Sequence, residues 1–197
     1  MTSRREFLQI GITATAWPLA VNVARAAGAG EAVPLYKVIY DRRFSESVAF
    51  ASRAEALGLA VHAIEGDMTK FWYEELYHVW KQGPVAIAGL TAHGALFCFD
   101  QLGRDQGLRV VFRAEHSLRP NGRVEHELSG PLSMLNDSVA LGDAGGRWGA
   151  TMADVIANCP NGRSEISIAS ATTALGEGES RLRRRMRGDI RLEQQPL

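Results

Sequence analysis

The sequence predicts an α/β fold: an open, mostly parallel sheet of the doubly wound, Rossmann-like or flavodoxin-like kind with helices on both faces, followed by a hairpin and a less regular C-terminal part. Three observations carry that prediction. Short apolar runs rich in β-branched and aromatic residues alternate with segments of helical period between residues 35 and 115. The loops between them are short. The order is strand, helix, strand throughout, and that alternation calls for parallel pairing through right-handed crossovers.

Residues 35–41 (LYKVIYD) read as a first, buried strand. Residues 45–58 (SESVAFASRAEALG) read as a helix with Ser45 as N-cap, apolar spacing at Val48, Ala51, Ala54 and Leu57, and Gly58 as the stop. A second strand follows at 59–65 (LAVHAIE). The second helix, 69–83, sets Trp72, Leu76, Val79 and Trp80 on one side and ends at Gly83-Pro84. Phe71, Trp72 and Tyr73 are consecutive, so at least one large ring of that helix must face outward. Residues 85–90 (VAIAGL) are a third strand, 94–107 (GALFCFDQLGRDQG) a third helix, and 108–115 (LRVVFRAE) a fourth strand.

Beyond the fourth strand, Asn121-Gly122 is the best two-residue hairpin signal in the chain. Residues 134–141 (MLNDSVAL) read as a further strand, 146–159 as a fourth helix, and 163–170 (RSEISIAS) as an edge strand, by the alternation of Ile166 and Ile168 with polar neighbours. The expected organisation is a leader at 1–26, a linker at 27–34, one α/β domain at 35–171 and a charged tail at 172–197. In the tail, six arginines are diluted by acidic side chains, as in a solvated or frayed helix, while Leu182, Met186 and Ile190 recur every fourth residue and offer a face for docking onto a partner or the body.

The leader sets the expected address. Ser3-Arg4-Arg5-Glu6-Phe7-Leu8 resembles the core motif of twin-arginine (Tat) signal peptides, with Gln9 where a lysine often stands. The apolar stretch behind it is mild and interrupted by Pro18, and Ala24-Arg25-Ala26 places small residues where a signal peptidase reads, with cleavage after Ala26. The resemblance covers the leader alone. It implies export by the Tat translocase, cleavage by a signal peptidase, and a domain that folds before it reaches the periplasm or the extracellular space.

Composition narrows the rest. The 197 residues suffice for one ordinary domain and a processed segment, and 46% hydrophobic with 22% charged residues is a globular balance. Loss of Arg4, Arg5, Arg25 and Glu6 from 22 basic and 22 acidic residues leaves 19 and 21, a net of −2. That charge gives no support for a nucleic-acid partner. No uninterrupted apolar stretch suggests a transmembrane anchor after the leader.

In an open parallel sheet, ligands bind beyond the carboxyl ends of the strands. The residues there form the candidate rim site: Asp41, Asp67, Thr91, His93 and His116. Asp41 is read either as a cleft carboxylate or as a partner of a neighbouring arginine. Asp67 and Thr69 compete as caps of the second helix. Thr91-Ala92-His93-Gly94 opens the third helix, where backbone N–H groups can hold an anion and His93 can act as acid, base or ligand; Thr91 as a plain N-cap is the alternative. An unbulged hairpin about Asn121-Gly122 pairs His116 with Glu127, which puts His116 and His126 on opposite faces and argues against a two-histidine site; a bulge reverses that. His62 and His78 read as structural. Cys98, among Leu96, Phe97 and Phe99, reads as a buried thiol, and a pairing with Cys159 stays open. The chain has no metal-ligand spacing, no G-x-G-x-x-G, no P-loop and no nucleophile elbow, so no nucleotide cofactor is indicated and the cofactor is unknown.

Three functional classes follow. The first, which the leader and the absence of cofactor motifs favour, is an accessory or small subunit of an exported oxidoreductase complex with a larger redox partner. The second is an independent periplasmic enzyme with an acid–base or metal site on the rim. The third is a binding module for a small ligand.

Overall fold

The structure is a computed structural model that describes residues 34–83, 85–159 and 166–175. The leader at 1–26, nearly all of the linker and the tail from residue 176 onward lie outside the described residues, as does Pro84.

The chain forms a mixed α/β structure with two three-stranded sheets, one parallel and one antiparallel. The first half follows the expected alternation. Strand β1 (Leu35–Asp41) leads through α1 (Ser45–Ala56) to β2 (Val61–Ile64). Three consecutive helical pieces follow: α2 (Thr69–Phe71), a π turn (Trp72–Leu76) and α3 (Tyr77–Gln82). Then come β3 (Ala86–Leu90) and α4 (His93–Asp105). Both β2 and β3 pair with β1 in parallel, giving the order β2-β1-β3.

Alternation along β1 splits the interior in two. Val38 joins Phe50 and Ala54 of α1 in one cluster, while its neighbour Ile39 joins Phe71, Leu76, Trp80 and Ala95 in another. Each fully buried aromatic or branched side chain here contributes roughly 1.5–3 kcal/mol relative to exposure. Two local expectations change. The N-cap of α1 is Phe44, with no side-chain cap, and Ser45 Oγ bonds Glu46 instead. The buried face is Ser47, Phe50, Ala51 and Ala54, so Val48 points outward, because the helix turns its one aromatic ring to the core. In the second helical segment the π turn adds a residue, which brings Phe71 and Leu76, five apart, to the same buried side. Tyr73 is the ring left outside, 66% exposed.

The second half departs from the expectation. Residues 108–112 carry no strand, and β4 (Arg113–Leu118) leaves the parallel sheet to pair antiparallel with β5 (Arg123–Pro131). Strand β6 (Ile166–Ala174) adds to the other edge of β5, so Thr172 and Thr173 lie in a strand, and Ile168 is exposed on its outer face. The expected strand at 134–141 is helical, as α5 (Leu132–Asp137) and a 3₁₀ turn (Ser138–Leu141). Its apolar residues bury in a helical pattern, with Met134, Leu135 and Leu141 inside. A second 3₁₀ turn (Gly145–Arg147) enters α6 (Trp148–Ala157).

Helix α6 lies against α1. A Cβ on Gly149 would stand 2.2 Å from the Glu46 carbonyl oxygen, so only glycine permits this approach. The inner face of the antiparallel sheet, Val124 and Leu128 included, packs on Trp148, Met152 and Ile156 in the cluster that also holds Val38. No helix of the described residues is long and apolar enough to cross a membrane.

Candidate functional site

The carboxyl ends of β1 and β3 lie side by side, and the polar groups gathered there bond one another. Asp41 has no exposed surface, and its carboxylate receives the Arg43 guanidinium at 2.8 Å and the Arg43 backbone N–H at 3.2 Å. Ser47 Oγ accepts the Asp41 backbone N–H at 2.9 Å and donates to the Leu90 carbonyl, stitching β1 to β3. The Arg-paired reading of Asp41 is the one the geometry adopts. Across the next loop, Arg42 pairs with Glu65 at 2.6 Å on the surface.

The other rim residues are dispersed. The N-cap of α2 is Met68, without a side-chain cap, so neither Asp67 nor Thr69 caps it; Asp67 Oδ1 accepts the Thr69 N–H at 2.8 Å, and hydrogen bonding from the Thr69 side chain and backbone holds its carboxyl below the usual range. The N-cap of α4 is Ala92, without a side-chain cap, so Thr91 does not cap; its hydroxyl donates to the Ala92 carbonyl at 3.2 Å. His93 is an exposed first-turn residue. Near the start of β1, Tyr36 donates to Glu75 at 2.8 Å and Lys37 pairs with the same carboxylate. Burial and Glu75 push the Tyr36 hydroxyl up to about 12. Glu75 stands on the π turn.

His116 has a different environment, and the hairpin turn decides it. The loop from Arg119 to Arg123 is a three-residue connection: Gly122 N–H bonds the Arg119 carbonyl at 3.1 Å, Arg119 N–H bonds the Arg123 carbonyl at 2.7 Å, and Gly122 takes φ +74°. This is a type I turn closed by a glycine bulge. The extra residue shifts the register by one, so Leu118 faces Val124 and His116 faces His126. The expectation of opposite faces is overturned. Both histidines lie on the inner face, and His126 is 1% exposed.

A chain of hydrogen bonds runs inward from them. His116 Nδ1 and His126 Nδ1 are 2.7 Å apart, His126 Nε2 is 2.8 Å from Thr173 Oγ1, and Thr173 donates to the Leu141 carbonyl. Trp148 packs beneath both rings, with centroids 4.5 Å from His116 and 5.3 Å from His126. Burial lowers His116 to about 3, with the neighbouring His126 adding to the shift, and burial lowers His126 to about 4. Both imidazoles are therefore neutral at physiological pH. His116 Nε2 is buried and has no hydrogen-bond partner among the described residues.

His116 also lines a partly enclosed cavity of about 200 Å³ between the two sheets. Its walls come from β3, α4, the 108–112 segment, α5 and α6, and most are apolar, among them Ile87, Phe99, Val111 and Met152. Thr91 reaches the same cavity, so the structure brings together two of the five rim candidates, Thr91 and His116, and leaves Asp41, Asp67 and His93 apart. Family models, curated proteins and solved structures give no match to this chain.

Cys159 lines the cavity as well, its thiol pushed up to about 11 by burial. Cys98 is exposed on α4, contrary to expectation, because the helix turns Ala95 and Gly103 inward instead. The two cysteines are free. Among the described residues no three His, Cys, Asp or Glu side chains converge as metal ligands would.

Sequence reasoning set His126 aside on the unbulged register and missed Thr173 and Trp148. The first had a signal: Pro120-Asn121-Gly122 suits a type I turn with proline at its second position and glycine at its fourth. Thr173 carried none, since its role depends on a strand from 47 residues downstream of His126.

Proposed function

We propose that the chain is an exported binding protein that holds a small, mostly apolar molecule between its parallel and antiparallel sheets. The cavity carries this reading: about 200 Å³ of largely apolar space lined in part by His116, whose buried Nε2 is satisfied by no group among the described residues. Ligand sites commonly combine an apolar wall with a few convergent polar groups. A buried polar atom without a partner also costs stability unless something occupies it. The order β2-β1-β3 supports reading the parallel half as the core of a doubly wound, Rossmann-like sheet.

The accessory-subunit reading keeps the support of the leader alone. The enzyme reading at the strand ends loses ground, since Asp41, Ser47 and Arg43 already bond one another. Export is part of the proposal and has its own test. Arg4→Lys with Arg5→Lys should hold the protein in the cytoplasm on cell fractionation, and periplasmic recovery of that variant would contradict it.

The binding reading is tested by thermal unfolding of the purified protein with toluene, a compact apolar probe. A binder of the native state raises the midpoint in proportion to its saturation. An unchanged midpoint up to the solubility limit of toluene would sink the proposal.

A further inference from the structure

The hydrogen-bond chain behind His116 fixes where its protons sit. The Leu141 carbonyl only accepts, so the Thr173 hydroxyl hydrogen points to it. Thr173 Oγ1 then has a lone pair and no hydrogen for His126, so His126 Nε2 carries the proton and donates. A neutral His126 is left with a bare Nδ1, which accepts from His116 Nδ1–H across 2.7 Å. A neutral His116 protonated at Nδ1 presents a lone pair at Nε2, the buried atom without a partner. These proton positions are assigned from the network, each step forced by the one before.

We infer that the cavity selects an uncharged, compact molecule carrying one hydroxyl or N–H donor, which it gives to Nε2 of His116 while its apolar body fills the space between the sheets. This rests on the binding reading and adds what the site selects. A cavity of about 150 Å³ accepts benzene, so a volume of about 200 Å³ suits a single ring with a small substituent, such as a phenol. A carboxylate has no donor for this nitrogen, and the guanidinium in the lining, Arg113, already pairs with Glu115. A cation would lose its hydration, and the carboxylate in the lining, Asp100, already pairs with Arg104. His126 and Thr173 are positioning residues: they set the His116 tautomer and hold its ring on Trp148. Nε2 has essentially no exposed surface, so the donor reaches it only when neighbouring side chains give; the flexible thioethers of Met134 and Met152 are among those that line the cavity.

The test joins two measurements on the full domain. Nitrogen-15 spectra of histidine-labelled protein at pH 7 should show His116 protonated at Nδ1 and His126 at Nε2; a proton on His116 Nε2 would overturn the inference without any ligand. Phenol, toluene and benzoate are then titrated against the wild type and against His116→Leu/His126→Leu, which removes both rings together. The ratio of phenol to toluene affinity should fall about tenfold in the double variant, the size of one buried hydroxyl losing its acceptor, whatever the change in toluene affinity itself. Benzoate should not bind either protein. Toluene binding with an unaltered ratio overturns the donor inference and leaves the binding reading standing. Failure of toluene to bind the wild type overturns both.

Discussion

The rim of the parallel sheet and the inner face of the antiparallel sheet both bury polar side chains, and they finish the job differently. At the rim, the Asp41 carboxylate, the Ser47 hydroxyl and the ends of β1 and β3 satisfy one another, with the Arg43 guanidinium reaching in from half-exposed surface. On the antiparallel sheet, the chain from Leu141 through Thr173 and His126 stops at His116 with one nitrogen unused, beside a cavity. A closed network specifies the fold; a network with an open end leaves a place for something else. Polarity at the strand ends is therefore a poor guide to a site unless its hydrogen bonds are counted.

The largest effect that separates the two regions should come from pH. The unfolded chain takes up protons on its histidines near pH 6.5, whereas His126 and His116 stay neutral in the fold down to about 4 and about 3. Between those values the unfolded state binds more protons. Stability is thus fully present above about pH 6.5 and falls as the pH drops toward 4. Urea unfolding from pH 7 to 4.5 should show this slope, and His116→Leu/His126→Leu should flatten most of it. His62, also lowered by burial, keeps a residual dependence.

Next in size is the rim stitch. Ser47→Ala strips the partner from the buried Asp41 N–H and from the Leu90 carbonyl, and should cost about 2 kcal/mol by urea unfolding while leaving toluene affinity unchanged. The histidine pair should behave less additively. His126→Leu alone orphans His116 Nδ1–H and should cost about 1–2 kcal/mol, whereas the double leucine variant removes both open groups and should recover most of that loss. The smallest change is expected from Asp67→Ala, which removes one exposed hydrogen bond to the Thr69 N–H and should shift the urea midpoint slightly without touching the cavity.

The first half of the fold was legible because its signals are local. The runs that become β1, β2 and β3, and the glycine stop at Gly58 with φ +81°, announce themselves within a few residues. Residues 108–115 look the same whether they join a parallel sheet or open an antiparallel one, since pairing is decided by distant partners such as Ser129 and Leu128. The site was legible only in part for the same reason. His116 stands out as a titratable residue, but its meaning turns on one bulge at Gly122 and on Thr173 in another strand. The register shift illustrates how one residue in a turn reverses every face assignment after it.

The central claim, that the histidine chain ends open in a ligand cavity, is most directly tested by a crystal structure of the protein with phenol. The account predicts the ring between the two sheets, against Phe99 and Met152, with its oxygen within hydrogen-bond distance of His116 Nε2. Phenol bound elsewhere, or a cavity closed by side chains around a His116 that has found a protein partner, would contradict it.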